Sequence, residues 1–111
     1  MTTTLLITRA GMGQAEPELS RKLIATYLGL LDLENRLPRT IAFYGEGVHL
    51  VCEGSHVLEE LAALAARGVD LVACGTCLNF YGLAKSLRVG REGTMREIIA
   101  AQFEAEKVVT L

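Results

Sequence analysis

Four short apolar runs recur along the chain at intervals too long for hairpins: TLLIT (4–8), RTIAFY (39–44), VDLVAC (69–74) and KVVTL (107–111). Each is β-branched, lacks internal Pro and Gly, and is apolar on nearly every residue, as strands buried on both faces of a parallel sheet are. Between them the period changes. After Pro17, a favourable first-turn residue, Leu19, Leu23, Ile24, Tyr27, Leu28 and Leu31 fall at three- and four-residue steps and define one helical stripe. From Ser55, a residue suited to an N-cap, Val57, Leu58, Leu61, Leu64 and Ala65 form a second stripe, with Glu59 and Glu60 early and Gly68 as a stop. Thr94 and Glu97 stand at capping-box spacing ahead of Ile98, Ile99 and Phe103, which opens a last helix.

Parallel neighbours need crossover connections, so this alternation predicts an α/β fold. The expected architecture is one domain over residues 1–111, a three-layer α/β/α sandwich on a mainly parallel sheet of four to five strands. The fifth strand candidate, VHLV (48–51) between Gly47 and Gly54, reads as an edge strand or a structured loop. A chain of 111 residues with mean hydropathy +0.32 has more apolar surface than a small monomer covers, which predicts a homo-oligomer.

Lys and Arg number 11 against 13 Asp and Glu, scattered along the chain. No basic stripe is present to track a phosphate backbone, so nucleic acid is not an expected partner. The start, MTTTLLITRAGMG, has neither a cationic head nor a long apolar stretch, and no run reaches the ~18 apolar residues of a membrane span. A cytoplasmic location without membrane attachment is expected, and three cysteines there are reduced thiols rather than a disulfide framework.

In open parallel sheets, ligands and reactive groups gather outside the carboxyl ends of the strands. Residues 9–14, 45–54 and 74–81 fall there and are expected to lie near one another. The first, RAGMGQAEP, resembles a dinucleotide loop only in part: Gly11 and Gly13 are present, but position 16 is Glu, and the chain has no G-K-[ST] for a phosphate loop. No cofactor is expected from either.

The third segment, ACGTCLNFYGL (73–83), holds the C-x-x-C pair Cys74 and Cys77. Cys74 ends a strand and Cys77 begins the next turn or helix, where unpaired backbone N–H groups favour negative sulfur. Gly75 permits the tight switch, and Thr76 is placed to cap the segment beyond it. Such a pair is redox-active or sulfur-handling on one reading and metal-binding or structural on the other. Cys52 is a small buried hydrophobe or a third thiol within reach of the pair. His49 and His56 complete a conceivable Cys2His2 zinc set, although their spacing of seven residues is loose for a structural site, and no metal is expected. A thioredoxin-type dithiol is a further reading of the bare motif.

The segments GMGQAEPELSRKLIATYL, GEGVHLVCEGS, CGTCLNFYGL and RVG, in this order and at these separations, resemble the DsrE/DsrF-like family, most closely its YedF-type branch associated with selenium metabolism. The likeness implies a three-layer fold, oligomeric assembly and sulfur relay, in which a cysteine carries a persulfide between a donor and an acceptor protein. In that family the carrier cysteine stands eight residues before a glycine; Cys74 and Gly82 have this separation, so Cys74 inherits the carrier role. Cys77 then resolves the persulfide. The pocket is expected to be shaped by Gly11, Met12 and Gly13 with Cys52, Gly75, Thr76, Asn79 and Tyr81. A TusA-like protein is one candidate donor. Family carriers usually have basic residues just before that glycine, where Phe80 and Tyr81 stand here.

Overall fold

The computed structural model describes residues 2–111. Five strands form one sheet: β1 (Thr3–Ile7), β2 (Thr40–Phe43), β3 (Asp70–Cys74), β4 (Arg91–Gly93) and β5 (Lys107–Thr110). Their order is β4-β3-β2-β1-β5, and every pairing is parallel. Helices α1 (Pro17–Leu33), α2 (Leu58–Ala66), α3 (Gly75–Phe80) and α4 (Met95–Glu104) and a 3-10 helix (Gly45–Val51) connect them. The two faces are distinguished by β1. Thr4 donates its hydroxyl to the Ala101 carbonyl of α4, whereas Leu5 shares a cavity wall with Tyr27 and Leu31 of α1.

The core lies along the central strands, where Ile7, Phe43 and Ala73 share one register row and are all buried. Ile24 and Leu28 of α1, Leu61 and Leu64 of α2 and Ile98 of α4 close on it, each at most 1% exposed. Full burial of such a side chain stabilises by about 1.5–3 kcal/mol. Thr94 caps α4 as expected, accepting the Glu97 N–H while the Glu97 carboxylate accepts the Thr94 N–H.

Three expectations are corrected. Residues 48–51 are not an edge strand but the end of the 3-10 helix, in which Val48, Leu50 and Val51 are all buried, a pattern no two-residue period produces. Helix α2 begins at Leu58 rather than beside Ser55, whose hydroxyl accepts the Val57 N–H just ahead of the helix. Strand β4 was not expected: it is three residues long, follows Gly90 and is mostly exposed, so it has no hydrophobic signature.

Candidate active site at the end of β3

Cys74 is the last residue of β3 and caps α3 with extended backbone, so the chain turns directly from sheet into helix at its sulfur. The cap is this residue's backbone; Thr76 lies inside the helix, is exposed and caps nothing, which corrects its expected role. Leu78, fully buried, anchors α3 on the core and fixes which way the cysteines face. Cys74 is only 2% exposed, whereas Cys77, almost a full turn on, is half-buried at the rim.

The two thiols are hydrogen-bonded neighbours. Cys77 also accepts the Gly45 N–H at 3.2 Å. Gly45 stands at φ +58, in the left-handed region that favours glycine, and this turn aims its amide at the sulfur. Burial pushes the Cys77 thiol up from the ordinary value of 9.0; the Gly45 N–H pulls it down, and the adjacent Cys74 pushes it up again. The expectation of an easily ionised thiol at this position is therefore overturned by desolvation, which here outweighs one backbone donor. Alkylation of Cys77 by iodoacetamide should accordingly rise with pH through a midpoint above 9.0. A midpoint below that value, followed by peptide mass spectrometry, would contradict the geometry.

Around the pair, Glu92 of β4 lies over Gly75: a Cβ there would meet its carboxylate at 2.8 Å. His49 stacks on Tyr81 with ring centroids 4.8 Å apart, and Tyr81 meets Phe80 edge-on at 5.2 Å. Phe80 is 83% exposed, which leaves an aromatic ledge beside the half-open thiol. Asn79 is exposed on the same short helix. Gly45, His49 and Glu92 are the neighbours that motif reading missed. Only the placement of residues 45–54 at the carboxyl edge pointed toward the first two.

The other expected pocket residues do not join this site. Gly11, Met12 and Gly13 are drawn to α1, where Met12 and Ser20 exchange hydrogen bonds: Met12 N–H to the Ser20 carbonyl at 3.1 Å, and Ser20 hydroxyl to the Met12 carbonyl at 3.2 Å. The cavity that Gly11 and Gly13 line contains no cysteine. Cys52 is 1% exposed. It pairs antiparallel with Leu87, and the flanking Glu53 N–H to Ser86 and Arg88 N–H to Val51 bonds seal it in. Burial raises its thiol, with the Arg88 charge opposing, so it is a packed hydrophobe. Among the described residues no three His, Cys, Asp or Glu side chains converge to hold a metal ion. The zinc set drawn from the cysteines with His49 and His56 is not assembled; His56 instead bonds the Arg21 carbonyl at 2.8 Å.

A five-stranded all-parallel α/β domain with a thiol pair at the exit of β3, one strand in from the sheet edge, defines a class of small cysteine-bearing sandwiches. The chain belongs to the DsrE/DsrF-like family, whose description matches residues 5–111 and which is generally linked to sulfur relay. No curated protein matches it. The fold is similar to that of the ychN protein from E. coli (TM-score 0.76, 20% identity, all of both chains covered). It is similar also to MTH1491 from Methanobacterium thermoautotrophicum, a protein of unknown function (TM-score 0.72, 18% identity, 99% of this chain and 98% of that one). A third similar structure is BT1422 from Bacteroides thetaiotaomicron, a conserved protein of unknown function (TM-score 0.67, 15% identity, 98% and 94%). Among the described residues no helix is long and apolar enough to cross a membrane.

Proposed function

We propose that the protein receives sulfane sulfur from a donor persulfide, holds it on Cys74 and passes it to an acceptor thiol. The observation that carries this reading is the contact between a covered and a half-open thiol at the exit of β3. The family's link to sulfur relay and the Cys74-to-Gly82 spacing support it. In the loading step the Cys74 sulfur, as thiolate, attacks the outer sulfur of R–S–SH. A new S–S bond forms on Cys74, the donor's S–S bond breaks, and R–S⁻ leaves with the electron pair. Cys77, which burial keeps protonated at neutral pH, offers its S–H to the neighbouring sulfur during this exchange.

Discharge has two routes. An acceptor thiolate attacks the outer sulfur and restores Cys74, or Cys77 attacks the Cys74 sulfur itself, expels HS⁻ and leaves a Cys74–Cys77 disulfide. Because Cys74 is covered, its sulfur is reached only when the Cys77 or Glu92 side chain swings aside, and the same cover protects a loaded sulfur from stray thiols. A YedF-type role with selenium in place of sulfur uses the same bonds. Donor and acceptor are separate proteins in the cytoplasm, a TusA-like donor among the candidates, and a reducing compartment keeps all three thiols free. The test is intact mass after incubation with a persulfide donor. The expected gain is about 32 Da, one sulfur atom, lost on adding excess thiol. Protein that gains nothing contradicts the proposal.

Self-association belongs to the same reading. Met95, Ile99 and Phe103 form a stripe along the outer face of α4, with Phe103 84% exposed. Antiparallel packing of two such helices about Ile99 places Met95 over Phe103 and brings Arg96 toward Glu104 of the partner subunit, so the face is complementary to itself. Phe103→Glu is expected to lower the assembly state in light scattering without loss of helix. An unchanged mass would rule out this face as the interface.

A further inference from the structure

Two adjoining cavities open on the carboxyl edge beside the cysteine pair. The first, about 300 Å³, is walled by the glycine loop, Arg9, Arg21 and Glu46. The second, about 340 Å³, is walled by His49, Glu53 and His56. Both include Ala10 and Arg21, so they form one cleft with Arg21 at its waist. Each alone reaches the lower end of the roughly 300–1,000 Å³ of small-molecule sites.

The cleft's charges are unusual for a surface whose other arginines are mostly paired. Among the described residues neither the Arg9 nor the Arg21 guanidinium has a hydrogen-bond or ion-pair partner, and Glu46 has none either. Glu53 is already neutralised by Arg88 at 2.6 Å. Two free guanidinium forks, suited to carboxylates, thus face one space with a single free carboxylate. A dense anion satisfies the arginines but is repelled by Glu46. A molecule that carries carboxylates together with an ammonium group satisfies all three.

We propose that this cleft binds a small carboxylate-bearing zwitterion, an amino acid or short peptide, with its carboxylates on Arg9 and Arg21 and its ammonium on Glu46. The site is wired to the thiols through two contacts. Glu46 follows Gly45, whose N–H meets Cys77, and His49 stacks on Tyr81 at the end of α3. Binding rests on charge and shape rather than on sulfur transfer, so it is measured on a ligand that cannot react.

The probe is S-methylglutathione, which has two carboxylates, one ammonium and a blocked sulfur, titrated into the wild-type protein by calorimetry. Saturable binding with Kd below about 1 mM is expected. Arg21→Gln and Glu46→Gln should each weaken it about tenfold, the loss of one charge-assisted contact. Pyrophosphate, with no donor for Glu46, should bind the wild type more weakly and Glu46→Gln more tightly. The three side chains make no side-chain contact that folding needs, so the variants should melt with the wild type. No saturation by S-methylglutathione, unchanged affinity in an Arg9→Gln/Arg21→Gln protein, or tighter binding of the tripeptide by Glu46→Gln would each overturn the proposal.

Discussion

Gly47→Ala is expected to destabilise the protein by about 3 kcal/mol, the upper end of what overpacking a rigid site costs. A Cβ at this position falls on the carbonyl oxygen of Ile7 and lies 2.8 Å from the carbonyl carbon and 3.3 Å from the Thr8 nitrogen. These atoms are backbone at the end of β1 and cannot rotate away as a side chain would. The Ile7 carbonyl also accepts the Tyr44 N–H at 3.2 Å, so the strain is shared by the turn that begins the 3-10 helix. Gly45 sits in that turn, and its displacement would withdraw the one backbone donor from Cys77. The melting temperature should therefore fall by roughly 10–20 °C. The Cys77 titration should move further up, because a lowering contribution is lost. Gly29→Ala, inside α1 with nothing near its Cβ, is the control and should stabilise by about 0.5–1 kcal/mol. Equal melting temperatures for the two variants would contradict the packing described.

The second large effect concerns the fate of a loaded sulfur. In the wild type Cys77 lies against Cys74 and holds its attack geometry without diffusion, so the loaded protein should discharge itself as sulfide and end with a disulfide. Serine cannot attack the Cys74 sulfur. In Cys77→Ser the loaded form should persist at least about tenfold longer in the absence of acceptor, and sulfide release should drop by the same factor. Mass spectrometry of the loaded protein over time, with colorimetric sulfide in parallel, reads both. Sulfide release at the wild-type rate would remove Cys77 from the resolving role.

Much of the architecture was legible because it follows from local chemistry. Four strands announce themselves as β-branched runs, and the Thr94–Glu97 box marks the start of α4 because both halves of that cap lie within four residues. Strand β4 was not legible. Three residues of Arg, Glu and Gly carry no periodicity, and only the exposed edge of β3 gives them a partner. The run at 48–51 misled because its apolar residues are buried by a 3-10 helix, which eclipses side chains three apart rather than alternating them. At the site, the cysteine pair and its place at a strand exit were readable from spacing. Which thiol faces outward was not, since that depends on Leu78 being drawn into the core. The reach of Gly45 to Cys77, across thirty-two positions, depends on a single left-handed residue that no short motif encodes. The glycine loop was assigned to the thiol pocket because both lie at the carboxyl edge; Ser20 holds it against α1 instead.

The most direct measurement is to load wild type, Cys74→Ser and Cys77→Ser with a persulfide donor, trap with an alkylating agent and map the extra sulfur by peptide mass spectrometry. The account predicts it on the peptide carrying residue 74 in wild type and Cys77→Ser, and nowhere in Cys74→Ser. Extra sulfur held equally well by Cys74→Ser, or found on Cys52, would contradict it.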